Sequence, residues 1–533
     1  MRKYWLFALL IVLSSILIAC NNKEVKGDEG AEKGNLENNF NKEAMPIVKE
    51  PIEIKMFAPK RFSAQDFNDI LLWNEYEKMT NVKVKWETVD RDNLAEKRNI
   101  ILAGGDYPDA FFGSSLSEVE LINHGGQGDF LALNDLIDKY APNFRKLMDE
   151  YPEIGKAVTM PDGNIYSFPI VTDPEFLSMT MGPMLWYKQD WLDELGFDIP
   201  ETTDELYQLL IAIKENYPDA YPLGGGPGIE AYLIPFFKGA WGLGNRGSSH
   251  QYVDVDPKTY ELRFIPTDSN FKEMLQYLNK VYSEGLIDEE FFTGSADQVI
   301  AKGSQGLYGV LPDYNPEAVY SNLKGYVGGE ALEGPNGDRL YSHIGSPIGG
   351  VGQFVITKNN PHPEATVRWA DYFFSDEGSK MFFMGFKDKT YIETADGSIE
   401  YTDEIRNHPD GLTQDQAVGE YLIWPGTGYL GLRKQEYFKG AEGMPSTLET
   451  AEKLSPYIVK EIWPPFNYTV EEIDEMNVLR NDIETYIGEM QAKFITGRTP
   501  FEDWDNYVKT FDKMGLDKYM KIYNDAYERY SSK

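Results

Sequence analysis

Ile52-Glu53-Ile54-Lys55-Met56-Phe57 opens the stretch that decides the fold. Apolar and polar side chains alternate there, the period of a strand with one buried face. Ala58-Pro59-Lys60 is the loop at its end. Over 66–79, Phe67, Ile70, Leu71, Trp73 and Tyr76 fall on or near one face of a helix. Val82 to Trp86 alternates again. The spacing then predicts a helix over 92–103, stopped by Gly104-Gly105, and a short strand at Asp109-Ala110-Phe111-Phe112. Strand, helix, strand, helix, strand argues for an α/β fold with a parallel sheet.

The same reading extends outward. Gly163 to Ile170 is a turn and strand, and Met184 to Lys188 is a strand. Helices follow at 190–195 and 203–215, the second with Thr202 and Thr203 as candidate caps. Val253 to Phe264 reads as a hairpin turning near Pro257-Lys258, with a helix at 268–284 after it. Gly349 to Thr357 is a Gly-rich strand leading to a helix at 363–374. Residues 470–530 are helical by periodicity. A chain of 533 residues exceeds one ordinary hydrophobic core, so more than one domain is expected.

At the N-terminus Arg2 and Lys3 precede an uncharged apolar run from Tyr4 to Ile18, ending in Leu17-Ile18-Ala19-Cys20. The run has the length and flanks of an export signal rather than of a membrane span. Cys20 is the only cysteine of the chain, so an intramolecular disulfide or a thiolate zinc site is impossible. Its place after the apolar run matches a lipobox: residues 1–19 are expected to be removed, and Cys20 to carry the lipid that holds the protein on the membrane surface. Residues 20–50 are polar and read as a flexible tether.

Composition narrows function. The net charge is −35, which repels phosphate backbones and disfavours nucleic acid as a partner. Five histidines show no metal-ligand spacing, and neither HExxH nor GxSxG occurs. GxGxxG occurs at Gly242–Gly247 and Gly426–Gly431, neither at a clear strand-to-helix junction, so dinucleotide binding is not expected. With 86 Asp and Glu, no carboxylate pair stands out for glycoside hydrolysis. No catalytic residue, cofactor or metal is assigned. A surface glycoside hydrolase or lyase and a surface adhesin stay open as alternatives.

Four segments carry a family resemblance: Tyr107 to Phe112, Asp162 to Pro169, Leu185 to Leu192, and Lys493 to Gly497 with Trp504 and Met514-Gly515-Leu516. In that order, behind a lipobox, they resemble the large lipid-anchored extracellular solute-binding proteins of carbohydrate ABC importers. The resemblance implies two α/β lobes with a periplasmic-binding-protein-like fold, an interlobe cleft and a helical C-terminal region. It implies a monomer that captures a solute by closure and passes it to importer permease subunits. An oligosaccharide is the expected solute, with a peptide or other non-sugar solute as the alternative. The expected lobes are 51–168 with 350–422, and 169–349 with 423–533. Some relatives that bind uronates carry a calcium loop after the helix equivalent to 203–215. Here Lys214 to Tyr221 lacks the spaced acids for one, so no metal is expected.

Sugars need aromatic plates and a rim of polar groups. By the resemblance, Tyr232 and Trp241 stand where relatives place stacking aromatics, with core packing as the competing assignment. Ligands of open α/β sheets lie at the carboxyl ends of strands, which here carry Lys60, Ser114 and Ser115. Asp173 follows the first crossing strand, and Asp313-Tyr314 follows the strand at 307–312. Gln353 sits among glycines that permit close approach, and Trp424 precedes Pro425-Gly426. Trp186 and Trp191 are expected in the core.

Overall fold

The computed structural model describes residues 39–60, 65–224, 233–292, 294, 296–320, 323–395, 397–424 and 429–532. Fourteen strands lie among them: β1 (Ile52–Lys60), β2 (Val82–Asp90), β3 (Ala110–Leu116), β4 (Phe168–Thr172), β5 (Met184–Lys188), β6 (Tyr221–Leu223), β7 (Val253–Val255), β8 (Leu262–Phe264), β9 (Tyr308–Asp313), β10 (Tyr326–Gly328), β11 (Ile348–Ile356), β12 (Tyr391–Glu393), β13 (Ile399–Tyr401) and β14 (Gly431–Arg433). One sheet runs β14-β4-β11-β3-β1-β2, and a second runs β10-β5-β9-β6. The hairpin expected at 253–264 is β7–β8.

The first sheet is parallel where the sequence predicted it, with β1 between β2 and β3. It is not parallel throughout. β11 runs antiparallel to both β3 and β4. In the second sheet β5 runs antiparallel to β9. Both reversals have one cause. Each strand receives the chain at the edge where it has just left the other sheet, so it must run away from that edge.

That topology puts the carboxyl ends of β1, β3, β4 and β14 beside the start of β11. It likewise puts the ends of β6, β9 and β10 beside the start of β5. Three crossing segments join these edges: 173–183, 343–347 and 434–444. The first two pair through Gly182 N–H to the His343 carbonyl and Gly345 N–H to the Thr180 carbonyl, both at 2.8 Å. The third is tied to the first by Ser178 Oγ donating to the Glu442 carbonyl at 2.8 Å.

Each sheet has its own core. Around the first, Trp73 stacks on Trp86 at 4.9 Å and lies 5.4 Å from Trp369. Around the second, Trp186, Tyr187, Trp241 and Tyr308 are at most 1% exposed. Trp186 is thus in the core as expected. Trp191 is half-buried, stacked on Tyr217 at 4.2 Å with the Lys188 ammonium over its ring. The helices Val470–Ile495, Trp504–Met514 and Leu516–Ser532 make the C-terminal region helical, as the periodicity predicted. Ile47 and Val48, inside the stretch read as tether, are fully buried. The Arg368 guanidinium donates to the carbonyls of Asn41, Glu43 and Ala44, so the packed unit starts at Asn41.

Candidate functional site

The carboxyl end of β3 is shaped for a site. Gly113 and Ser115 both have positive φ, 60° and 49°. For a serine this conformation costs on the order of 1–3 kcal/mol and persists only where surroundings enforce it. Arg98 enforces it, donating from Nη1 to the carbonyls of Ser114 (2.8 Å) and Ser115 (2.7 Å). Opposite, the pairing of β11 with β3 slips between Gly352 and Phe354. This bulge re-aims Gln353, whose Nε2 lies 3.4 Å from Ser115 Oγ. The helix Glu118–Gly126 begins directly after β3. Ser117 and Glu120 cap it reciprocally, leaving Glu118 in its first turn.

A cavity of about 570 Å³ opens at this edge. Leu116, Ser117, Glu118, Val119 and Val351 line one side. The other side belongs to the second sheet's half: Ser248 to Tyr252, Phe466, Tyr468, Arg480, Glu484 and Tyr523 among them. Burial raises the Glu118 carboxyl to about 7, while Arg480 across the cavity pulls it back. Arg480 Nε is 3.5 Å from Glu484 Oε1. His250 Nε2 donates to the Pro464 carbonyl at 2.9 Å, and burial, with Arg480 adding to it, lowers its pKa to about 4.

A second wall lies beside the crossing segments. The Arg433 guanidinium is 4.9 Å from the centre of the Tyr429 ring. Burial lowers the Arg433 pKa, with Tyr429 and Glu442 opposing. Burial raises Glu442, with Arg433 opposing. Tyr314, 39% exposed, is raised by burial and then by Glu442 and Asp313. Trp424 is half-buried against Phe438, Phe383 and Tyr429 at 4.9, 5.4 and 5.5 Å.

The sequence-derived candidates divide accordingly. Ser115 and Gln353 meet, with Ser114 buried behind them. Lys60 is half-buried at the end of β1. Asp173 lies beside Arg433, donating its N–H to the Arg433 carbonyl at 2.8 Å. Asp313 is 3% exposed and internally satisfied by Tyr314 N–H (2.7 Å) and Tyr320 Oη (2.8 Å); it shapes the loop that presents Tyr314. Trp241 is 1% exposed among Phe237 and Tyr277, so its ring offers no free face. Tyr232 and Cys20 lie outside the described residues. Sequence reasoning missed Glu118, Arg480, Tyr429, Arg433 and Glu442. The capping pattern Ser117-Glu118-Val119-Glu120 after a strand was the available signal for Glu118. Nothing local marks Arg480, which sits in a helix dense with acids.

A cleft between two sheet edges, spanned by three crossings and lined from both sides, is the architecture of a closing receptor. The model of a bacterial extracellular solute-binding protein matches residues 65–380. The chain belongs to the bacterial extracellular solute-binding proteins. A relative in this family is the fructooligosaccharide ABC transporter substrate-binding protein FusA of Streptococcus pneumoniae, 30% identical over 90% of both chains. Another is lipoprotein LipO of Bacillus subtilis, 23% identical over 99% of both. The solved structure of FusA in complex with kestose aligns with a TM-score of 0.71 at 26% identity, covering 90% of this chain and all of that one. The chain shares the two-lobed fold of these solute-binding proteins.

Proposed function

We propose that this protein captures an oligosaccharide between its lobes and delivers it to the permease of an ABC importer. The observation that carries the reading is the interlobe cavity, which sets tyrosine and phenylalanine faces beside carboxylates and the Arg480 guanidinium. Aromatic faces suit the C–H faces of sugar rings, and charged groups bond hydroxyls strongly. FusA, with its fructooligosaccharide, supports the solute class. We assign ligand contacts to Ser115, Gln353, Asp173, Tyr314 and Trp424 from the sequence, and to Glu118, Tyr429, Arg433, Glu442 and Arg480 from the structure. Lys60 and Tyr232 stay in this proposed set; Ser114 and Asp313 support it from behind.

The first lobe in this reading takes β1–β4, β11 and β14, and the crossings mark its boundaries. Residues 1–19 are the signal peptide, and Cys20 is the lipidated residue that holds a monomer on the outer face of the membrane. LipO, a lipoprotein by name, supports that anchor. No helix among the described residues is long and apolar enough to cross a membrane. The test of solute capture is thermal-shift screening against an oligosaccharide panel. A ligand present at about 100 times its Kd stabilises the folded state by about 2.7 kcal/mol. A complete panel without any shift in melting temperature removes the sugar reading, and turnover of a bound sugar removes the binding-only one.

A further inference from the structure

Resting on that oligosaccharide reading, we infer that residues 464–468 form a clasp that couples sugar capture to lobe closure, and that Asn467 is its positioning residue. The segment belongs to the second lobe. Trp463, Phe466 and Tyr468 are buried in the core around the second sheet. Trp463 N–H donates to the Arg246 carbonyl at 2.9 Å, and the Pro464 carbonyl accepts from His250. The Arg529 guanidinium donates to the Asn467 carbonyl at 3.3 Å, and Thr469 and Glu472 then cap the helix Val470–Ile495. The backbone on both sides of Asn467 is therefore fixed.

Its side chain reaches the other lobe. The helix Pro152–Val158 lies in the chain between β3 and β4, both strands of the first sheet. The last carbonyls of a helix have no partner within it. Asn467 Nδ2 reaches three at this end, those of Lys156 (3.3 Å), Ala157 (3.0 Å) and Thr159 (2.9 Å). The Lys156 ammonium lies 5.0 Å from the centre of the Tyr530 ring and donates to the Tyr530 carbonyl at 3.5 Å. None of these bonds belongs to a crossing segment, so they are bonds of the closed arrangement, which opening at the crossings gives up.

The same segment reaches the cavity. Pro465, Phe466 and Tyr468 line it together with Glu118 and Val119. Asn467 lines a neighbouring recess of about 160 Å³ with Lys156 and Arg529, and Pro465 and Phe466 line both spaces. A sugar packed on Phe466 and Tyr468 thus sits against the back of the clasp. Ligand stabilises the state that gives it more contacts, and bonds made only in that state add to its affinity without touching it.

The experiment is calorimetric titration of the full chain and its variants with fructo-, xylo- and manno-oligosaccharides. Asn467→Ala should weaken every sugar that the parent binds by one common factor, roughly fivefold to thirtyfold, and stopped-flow fluorescence should place the loss in faster dissociation. Asn467→Asp, which sets a carboxylate against three carbonyls, should lose at least as much. Lys156→Ala tests the clasp from the first lobe and should shift affinity in the same direction. Losses that differ from sugar to sugar would mean that Asn467 touches ligand, and would overturn its positioning role. Unchanged affinities, with or without a lower melting temperature, would make the contact static packing and overturn the clasp. Small-angle scattering without sugar separates this inference from the capture reading: Asn467→Ala should increase the radius of gyration. If no sugar gives heat with the parent, capture falls, and a scattering profile identical to the parent's then overturns the clasp as well.

Discussion

Tyr314 and Trp241 are both large aromatics in the second lobe, and their exposures separate their roles. Tyr314 keeps 39% of its surface open beside Arg433's wall, whereas Trp241 keeps 1%. Tyr314→Ala should lower ligand affinity by roughly tenfold to a hundredfold, about 1–3 kcal/mol, with little change in the unliganded melting temperature. Trp241→Ala should instead cost about 3–5 kcal/mol of folding stability. Calorimetry beside melts of the two variants checks both, and an unchanged affinity for Tyr314→Ala removes it from the site. Titration is a second test at this scale. Burial raises Glu118 to about 7, and Asp313 and Asp371 to about 6 each. Folded protein then binds more protons than unfolded protein between the ordinary carboxylate values and those values. Stability should fall as pH rises through roughly 4 to 7. Asp129 is held down near 2, chiefly by Lys358, so its contribution is already complete in that window. Asp313→Asn should flatten the dependence of melting temperature on pH; a slope identical to the parent's would contradict the shift.

The elements that build the cleft edge leave little room for change. At Gly352 an added Cβ would stand 1.9 Å from the Leu116 carbonyl oxygen, a backbone atom that cannot swing away. Gly352→Ala should therefore push β11 off β3 and cost about 1–3 kcal/mol in chemical denaturation. Because Ser115 and Gln353 sit at that join, ligand affinity should fall with it. The variant melting like the parent would mean that the edge yields more easily than its geometry indicates. The element reading of the sequence was close. The helix expected at 203–215 is Thr203–Asn216 with Thr202 as its cap, and the strand expected at 184–188 is β5. Such local patterns arise from neighbours three or four residues apart. Strand direction does not, and the reversed β11 was beyond its reach.

For the whole molecule, the crossings predict motion. Three segments tied to one another, two by backbone hydrogen bonds and the third through the Ser178 hydroxyl, let the lobes rotate while the chain stays paired at the hinge. Ligand should reduce the radius of gyration in small-angle scattering; an unchanged profile at saturating ligand would contradict closure. Anchoring belongs to this scale too. Cys20→Ser should release the protein from the membrane fraction or leave its precursor uncleaved, and a variant processed and retained normally would refute the lipid anchor.

By itself the sequence determined the α/β class, the helical C-terminus, the single cysteine that suits a lipid anchor, and the anionic charge that disfavours nucleic acid. Each of these depends on composition or on short-range periodicity. Some of the ligand candidates were legible for the same reason, since Ser115 and Tyr314 stand at strand ends that alternation locates. Only the tertiary structure decided that Trp241 is core and that Glu118 faces Arg480. Those facts depend on which surfaces meet across 362 residues of chain, between 118 and 480, and no local pattern encodes a contact made by packing two lobes together.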